Sequence, residues 1–265
     1  MDSGEIFSKE NAHIKYVKKL MISSKFRKKE KSFVIEGVRI CEEALKCNAE
    51  ILKIFYTENF KNKFSELFSK LKNSAAEIFL VKENLINAIS DTDTPQGIVA
   101  VCRDVDKNIN EDKIKSCTKI VLLENIQNPT NMGSIFRTCD ALGVNNIGII
   151  GNSCDIHNPK VLRGSMGALF RLNFFVSENG YECILKLKKM GFKIYAAMPR
   201  EDSKCLQNID FSGKCAVVFG NEGNGVEKET EKKCDYSFSI PMQPKAESLN
   251  VSVAAGIVIW EMTRS

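Results

Sequence analysis

One polar segment in the second half of the chain places a carboxamide and a guanidinium on a predicted helix. Asn131 opens this helix after a Pro/Asn turn, and Arg137 lies off its apolar face. A guanidinium in that position can bind a phosphate or a carboxylate through two parallel hydrogen bonds. The spacing fits equally well a surface arginine that forms a salt bridge along the helix. The apolar face is expected to consist of Ile135, Phe136 and Cys139.

A glycine-rich turn follows a predicted buried strand farther along the chain. Gly220, Gly223 and Gly225 have the spacing G-x-x-G-x-G, and glycine lets a backbone take positive φ and approach a ligand closely. Glu222 lies among them, where its carboxylate can accept a hydrogen bond from a ligand. The alternative is a plain loop. The spacing is neither that of dinucleotide-binding domains nor that of a P-loop, so it indicates neither NAD nor ATP.

A third polar turn lies between the last predicted strand and the last predicted helix. The strand ends at Pro241, and Glu247, Ser248 and Asn250 precede the helix. Ser248 or Asn250 taken alone can be the N-cap of that helix. All three polar side chains together in one turn favour a functional site. The helix is expected to pack Val253, Ala254 and Ile257 inward.

The three segments share one predicted position in an α/β fold. Nearly continuous apolar strands are predicted at residues 120–123, 147–150, 193–197 and 215–219, and such strands, separated by helices, are typical of a parallel sheet covered on both faces. Each polar segment lies where a strand ends and a helix begins. In an open α/β sheet this edge forms the ligand crevice.

The first half of the chain reads as a separate α/β unit. Strands alternate with helices up to a last strand at residues 98–102, and the following residues 103–116 are polar and charged. We therefore expect a domain over residues 1–104, a linker over 105–116 and a second domain over 117–265. The expected elements of the first unit are a helix at 14–22, strands at 32–36, 51–56 and 77–81, and helices through residue 45 and over 60–72.

A basic run lies in this first unit. Between Lys15 and Lys31 there are eight basic residues against the single acidic Glu30. Such an excess is typical of a surface that contacts nucleic-acid phosphates. A solvated helix face is the alternative. The predicted phosphate contacts are Lys25, Arg27, Lys28 and Lys29.

Composition excludes several classes of protein. The chain is 43% apolar and 27% charged, which is typical of a globular protein. It has no apolar stretch long enough to span a membrane and no signal-peptide pattern, so a cytoplasmic location is expected. Only two histidines are present, which leaves little material for a metal site. The ten cysteines are scattered, and we expect them to be reduced.

The three polar segments resemble the ordered motifs of the SpoU (TrmH-like) RNA 2′-O-methyltransferases. A further stretch at residues 163–170 is similar to another segment of that family, and residues 14–101 resemble an L30e-like RNA-binding module. The motifs are Asn131-Met132-Gly133 with Arg137, Phe219-Gly220-Asn221-Glu222-Gly223, and Ile240-Pro241-Met242 with Glu247-Ser248-Leu249-Asn250-Val251-Ser252.

The resemblance implies a fold, a cofactor and a site. The fold is an N-terminal L30e-like α/β domain followed by a SPOUT-type parallel-sheet methyltransferase domain with a C-terminal trefoil knot, in a homodimer. S-adenosylmethionine is the implied cofactor. Its implied contacts are Gly220, Ile240 and Leu249, with Asn221 and Met242 nearby, and the implied catalytic residues are Asn131, Arg137, Glu222, Ser248 and Asn250. Pro244 departs from the glycine common in the family, and it removes a backbone donor from the cofactor loop.

The function that the resemblance implies is methyl transfer to a ribose 2′-hydroxyl of RNA, with ribosomal RNA favoured by the separate basic module. Two alternatives stay open. One is a transfer RNA 2′-O-methyltransferase, and the other is a non-catalytic RNA-binding protein with vestigial cofactor loops. Binding of the cofactor distinguishes the second alternative from an enzyme.

Overall fold

The computed structural model describes residues 2–104, 111–198, 203–243 and 248–264. Packing divides the chain into two compact units, one of Met1–Asp106 with Asp155–Phe170 and the other of Lys107–Cys154 with Arg171–Ser265. Each unit has its own β-sheet. The strands are β1 (Asp2–Ile6), β2 (Ser32–Glu36), β3 (Ile51–Tyr56), β4 (Ala75–Val81), β5 (Ile98–Arg103), β6 (Lys119–Glu124), β7 (Asn146–Ile150), β8 (Asn173–Ser177), β9 (Lys193–Ala197), β10 (Lys204–Cys205), β11 (Cys215–Phe219) and β12 (Tyr236–Ser239).

Helices connect most of these strands, which confirms the predicted α/β class. None of the helices in the described residues combines the length and the apolar character that a membrane span needs. The helices are α1 (Ala12–Ile22), α2 (Ser24–Glu30), α3 (Val38–Lys46), α4 (Glu58–Lys63), α5 (Ser65–Ser74), α6 (Glu83–Ala88), α7 (Glu111–Ser116), α8 (Pro129–Ala141), α9 (Pro159–Ser165), α10 (Gly180–Lys189), α11 (Lys228–Glu231) and α12 (Val251–Arg264).

The first sheet has the strand order β1-β4-β3-β5-β2. Its strands are parallel except β5, which runs antiparallel to both β3 and β2. The predicted strands at 32–36 and 51–56 have the bounds of β2 and β3. The single helix predicted over 60–72 is wrong, because the backbone leaves helical geometry at Phe64 (φ −126°, ψ 47°) and separates α4 from α5.

The second sheet has the order β10-β12-β9-β11-β6-β7-β8, and all its strand pairs are parallel. Its central strands β6 and β11 carry runs of five buried residues. This confirms the prediction of a parallel sheet covered on both faces. The carboxyl ends of β6, β11 and β12 lie at one edge, so the segments that follow them meet there.

The predicted linker contains a helix. Residues 105–110 lie outside the described residues, but α7 occupies residues 111–116. Ile114 on α7 belongs to the same buried cluster as Ile120 and Leu187 of the second unit. The second half of the predicted linker therefore packs as part of that unit.

The segment from Asp155 to Phe170 packs with the first unit, whereas the sequence prediction assigned it to the second domain. The ring of Phe33 stacks on His157 with centroids 4.4 Å apart. Gly167 has φ +89°, and a Cβ there would lie 2.7 Å from the Cβ of Glu43. The side chains that fill this contact belong to β2 and α3, which sequence periodicity cannot associate with a segment so distant along the chain.

Helix α12 buries a different face from the one expected. Val253 and Ile257 are 51% and 38% exposed, so the prediction that they pack inward is wrong. The helix is apolar on most sides, and its sequence therefore does not indicate which side faces the core. The buried residues are Ala255, Val258, Ile259 and Met262.

The ten cysteines are free thiols, as predicted, and half of them are buried. Burial raises the pKa of Cys102 to about 12, and it has the same effect on Cys183. A thiol with so high a pKa stays protonated at neutral pH and packs as a small apolar side chain.

Candidate functional site

A cavity of about 460 Å³ opens at the carboxyl edge of the second sheet. Four described segments line it: the ends of β9, β11 and β12 with the residues that follow them, and the start of α12 with the residues before it. The lining residues include five predicted cofactor contacts and three predicted catalytic residues, namely Gly220, Asn221, Ile240, Met242, Leu249, Glu222, Ser248 and Asn250. Pro244 and Glu247 lie outside the described residues.

The glycine turn, residues 220–225, folds back on itself in a narrow loop. Asn221 and Gly225 exchange two backbone hydrogen bonds of 2.9 Å. A Cβ on Gly220 would lie 2.0 Å from the carbonyl carbon of Gly225, so no larger residue fits. The glycines at 220 and 225 are therefore required by this close approach and by a φ of +69° at Gly225.

The side chain of Asn221 is used inside the glycine turn. Its Oδ1 accepts hydrogen bonds from the backbone N–H groups of Gly223 at 2.9 Å and Asn224 at 3.3 Å. Its Nδ2 donates to the carbonyl oxygen of Asn125 at 3.0 Å. Asn221 lines the cavity as expected for a cofactor contact, but its amide group is engaged in shaping the turn.

Three predicted catalytic side chains form one hydrogen-bonded chain, which we call the polar chain. Asn250 Nδ2 donates to Asn131 Oδ1 at 3.1 Å, and Asn131 Nδ2 donates to Glu222 Oε1 at 2.9 Å. Asn131 is only 7% exposed, so its amide is held in one orientation by the two partners. The polar chain joins three segments that are far apart in sequence and orients the Glu222 carboxylate at the cavity.

Asn250 also begins α12. Its Oδ1 accepts hydrogen bonds from the backbone N–H of Ser252 at 2.9 Å and from the hydroxyl of the same residue at 2.6 Å. This is the geometry of an N-cap. The two interpretations of this residue are therefore compatible, because the carboxamide oxygen caps the helix while the nitrogen belongs to the polar chain.

Arg137 lies apart from the polar chain. It is exposed on α8, off the face formed by Ile135, Phe136 and Cys139, all of which are buried as predicted. Within the described residues, no hydrogen bond or ion pair joins Arg137 to Asn131, Glu222, Ser248 or Asn250. The guanidinium is accessible to a ligand that approaches α8 from outside.

Three of the four predicted phosphate contacts are exposed, and the fourth is not. Lys25, Lys28 and Lys29 lie on the surface of α2. Arg27 is only 4% exposed, its Nε and Nη2 each lie 2.7 Å from Asp155 Oδ2, and its Nη1 donates to the carbonyl of Leu20 at 2.6 Å. The prediction that Arg27 contacts RNA is therefore corrected, since its donors are used inside the first unit.

Sequence reasoning missed two residues behind the cavity, Glu124 and Asn125. Glu124 ends the otherwise apolar strand β6 and is 1% exposed. Burial raises its pKa, although hydrogen bonds from Thr230 and from the backbone of Glu227 act in the opposite direction. A carboxylate that ends a buried strand was the available signal, because buried acidic groups need donors.

The described residues contain no cluster of three His, Cys, Asp or Glu side chains suited to a metal ion.

A parallel α/β sheet whose carboxyl edge carries a glycine turn and a hydrogen-bonded polar chain belongs to the class of α/β proteins that bind a ligand at the ends of their strands. The chain belongs to the SpoU rRNA methylase family, whose model matches residues 118–260. A model of the MRM3-like substrate binding domain matches residues 11–100. The family, the fold class and the methyltransferase activity predicted from the sequence are confirmed.

The chain is similar to two curated methyltransferases and to one solved structure. It is 32% identical to the Bacillus subtilis 23S rRNA (guanosine(2553)-2′-O)-methyltransferase RlmP, over 97% of this chain and 98% of the relative. It is 30% identical to the Coxiella burnetii 23S rRNA (guanosine-2′-O-)-methyltransferase RlmB, over 81% and 88%. The fold is similar to the crystal structure of the SpoU methyltransferase AviRb from Streptomyces viridochromogenes in complex with AdoMet, with a TM-score of 0.84. The two sequences are 25% identical, and the match covers 96% of this chain and 98% of AviRb. The predicted cofactor, S-adenosylmethionine, is thereby confirmed.

Proposed function

We propose that the chain transfers a methyl group from S-adenosylmethionine to a ribose 2′-hydroxyl of ribosomal RNA, which releases S-adenosylhomocysteine and the proton of the hydroxyl group. The observation that carries this proposal is the polar chain, which directs the Glu222 carboxylate to a cavity formed by the glycine turn. The proposal is supported by a relative named as a 23S rRNA methyltransferase, which matches 97% of the chain. Its ribosomal substrate implies a cytoplasmic location.

The cavity fits the cofactor by size and chemistry. Its volume of about 460 Å³ lies within the range of small-molecule sites. The backbone of Gly220 and the side chains of Ile240, Met242 and Leu249 offer apolar surface and backbone polar groups. These residues would hold the nucleoside part of S-adenosylmethionine. When bound, the cofactor supplies a sulfonium methyl group, which is a strong electrophile.

The residues of this chain orient the ribose. A ribose hydroxyl is a weak nucleophile, so its placement in line with the methyl group contributes much of the rate enhancement, up to about 7–11 kcal/mol. Asn131 occupies one oxygen of the Glu222 carboxylate, and the other oxygen can accept a hydrogen bond from the ribose. Arg137 cannot serve as a base, because a guanidinium stays protonated. Its charge and planar geometry suit it instead to bind the phosphate next to the target ribose.

The first unit binds the RNA. Lys25, Lys28 and Lys29 form an exposed basic surface on α2, and contacts with phosphates are the sequence-independent part of such binding. We assign substrate binding to residues 1–104 and the chemistry to residues 117–265, with the segment 155–170 packed against the substrate-binding unit.

The active form is a homodimer with a C-terminal trefoil knot. The dimer is supported by an exposed apolar face on α12, which consists of Val253, Ile257 and Trp260. Burial of such a face against a second copy removes apolar area from water. The knot is the fold that membership in this family implies for the methyltransferase domain, and the family model matches residues 118–260.

The cofactor pocket is tested by placing a charge in it. We expect Leu249→Glu to abolish binding of S-adenosylmethionine in calorimetry, because a carboxylate would face the apolar part of the ligand. Leu185→Glu is the matched control, since Leu185 and Leu249 are 36% and 37% exposed. Equal binding by both variants would remove this pocket from the proposal.

The substrate is tested by mapping 2′-O-methylated nucleotides in RNA from cells with and without the gene. A second assay measures methylation of purified ribosomal RNA and of purified transfer RNA by the purified protein. We expect one ribosomal site to lose its methyl group. Methylation of transfer RNA alone would contradict the ribosomal assignment. Cofactor binding without methylation of any RNA would contradict the proposed reaction.

A further inference from the structure

Two consecutive residues at the carboxyl end of β6 contact both ends of the glycine turn. At its start, Asn221 Nδ2 donates to the carbonyl oxygen of Asn125 at 3.0 Å. Just after its end, the backbone N–H of Glu227 donates to Glu124 Oε2 at 2.8 Å. The Glu227 carboxylate in turn accepts a hydrogen bond from Asn125 Nδ2 at 2.7 Å. Neither Glu124 nor Asn125 lines the cavity.

Glu124 is enclosed by donors and by closely packed backbone. Its Oε1 accepts the hydroxyl of Thr230, itself 1% exposed, at 2.5 Å. A Cβ on Gly180 would lie 2.3 Å from the same oxygen. An acceptor-only group that receives donors on both oxygens has one stable orientation. The donor on its second oxygen is the backbone N–H of Glu227, two residues after the end of the glycine turn.

Asn125 has a backbone conformation that supports this arrangement. Its φ of +56° is left-handed, which asparagine tolerates better than other residues with a side chain. Its Oδ1 accepts the backbone N–H of Asn152 at 2.8 Å, so both atoms of the amide group are used. A Cβ on Gly151 would lie 2.5 Å from that oxygen. The side chain is fixed on one side by the turn that follows β7, and on the other by Glu227.

We propose that Glu124 and Asn125 are positioning residues that hold the glycine turn in the conformation that binds the cofactor. The hydrogen bonds between Asn221 and Gly225 close the turn, but they do not fix it relative to the sheet. The contacts of Glu124 and Asn125 at Asn221 and Glu227 fix both of its ends. This inference rests on the proposed cofactor pocket and is independent of which RNA is methylated.

The test first removes the hydrogen bond from Asn125 to Glu227 and then restores it with donor and acceptor exchanged. Asn125→Asp keeps the backbone carbonyl and the acceptor for Asn152, but it places a carboxylate against that of Glu227. We expect the Kd for S-adenosylmethionine, measured by calorimetry on the full chain without RNA, to rise about tenfold. Adding Glu227→Gln supplies a new donor and is expected to bring the Kd back to within about threefold of the wild-type value. Glu227→Gln alone is expected to change little.

Kinetics separate positioning from a loss of folded protein. We expect Asn125→Asp to raise the KM for the cofactor while kcat at saturating cofactor and the KM for RNA stay near their wild-type values. Asn48→Asp is the matched control, because Asn48 also has a left-handed backbone (φ +52°) but belongs to the first unit. If Asn125→Asp does not fold, Asn125→Gly, which keeps the left-handed backbone and removes the side-chain hydrogen bonds, is expected to raise the Kd several-fold.

The outcomes distinguish this inference from the pocket on which it rests. If Leu249→Glu does not weaken binding, the pocket is wrong and the inference falls with it. If Leu249→Glu abolishes binding but Asn125→Asp and Asn125→Gly bind the cofactor like the wild type, the positioning role is overturned. The role is also overturned if Asn125→Asp weakens cofactor binding and the added Glu227→Gln does not bring the Kd back.

Discussion

At the scale of single residues, Asn250 combines two tasks in one carboxamide. Its oxygen accepts from the backbone and hydroxyl of Ser252 at the start of α12, and its nitrogen donates to Asn131. A carboxamide is suited to both tasks because it is acceptor and donor on adjacent atoms. The start of the helix and the orientation of the polar chain are therefore coupled through this residue.

Substitutions of Asn250 separate the two tasks. Serine keeps an N-cap acceptor but has no group that reaches Asn131 as the amide does, whereas alanine removes both functions. We expect Asn250→Ser to keep its thermal stability and lose at least about tenfold in turnover. Asn250→Ala should lose the same activity and also about 0.5–2 kcal/mol of stability.

The measurements are thermal melts and single-turnover methylation of RNA. Glu222→Ala serves as a comparison, since that carboxylate belongs to the polar chain without capping a helix. Normal turnover by Asn250→Ser would mean that the hydrogen bond to Asn131 has no part in catalysis.

At the scale of elements, α12 has two apolar faces with different partners. One includes the buried Ala255 and Ile259, and the helix packs against α8. The other, with Val253, Ile257 and Trp260, is exposed in the single chain. A 14-residue helix with such a composition is typically covered on both sides. A second copy of the chain is the covering partner that we propose.

A charge on the exposed face of α12 is expected to prevent dimer formation. Ile257→Glu would bury a carboxylate without a partner in the dimer, so we expect a monomer in light scattering at micromolar concentration. Trp260 is the single tryptophan of the chain, and its fluorescence should shift to the red when the dimer separates. Leu185→Glu on α10 is the control. A wild-type protein that is already monomeric would contradict the dimer.

At the scale of the whole molecule, the chain passes between its two units three times, and the segment Asp155–Phe170 completes the first unit. The ion pair between Arg27 and Asp155 is nearly enclosed, with side chains 5% and 12% exposed. Burial alone would raise the pKa of Asp155, but the charge of Arg27 and hydrogen bonding lower it overall. The ion pair therefore stabilises the fold above the pKa of an unfolded aspartate, and this contribution is lost as the pH falls through the lower folded-state pKa.

Neighbouring cations of the same basic run are expected to behave in opposite ways. Arg27→Met takes the guanidinium away from the buried Asp155 carboxylate, which keeps its hydrogen bond from the backbone N–H of His157, so we expect a loss of about 3 kcal/mol in the free energy of unfolding. Lys28→Met, on the exposed surface of α2, should leave stability unchanged and weaken RNA binding. For this variant, the slope of the logarithm of the RNA association constant against the logarithm of the salt concentration should decrease in magnitude by about 0.7–0.9 for each RNA phosphate that the protein no longer neutralises.

Denaturant unfolding and filter binding at several salt concentrations measure both effects. An unchanged salt slope in the combined Lys25, Lys28 and Lys29 variant would mean that the basic surface of α2 is only solvated. Equal stability of Arg27→Met and wild type would mean that the ion pair with Asp155 does not hold the segment in place.

The amino-acid sequence by itself determined most of the strands and the edge of the second sheet at which the candidate site lies. Apolar runs such as residues 215–219 are typical of strands buried on both faces, so local composition predicts the parallel sheet and its carboxyl edge. Turn chemistry at Gly220 and Asn250 is equally local, since it depends on conformational freedom and on capping. The ordered motifs then identified the family.

The tertiary structure decided which side chains use their polar groups internally. Arg27 and Lys28 are adjacent cations in one run, yet only the fold places Asp155 beside the first, 128 residues away along the chain. The side of α12 that faces the core, and the contacts of Glu124 and Asn125 with the glycine turn, depend on partners of the same long-range kind. A local pattern specifies what a residue can do, but burial and donors from distant segments determine which of these possibilities is used.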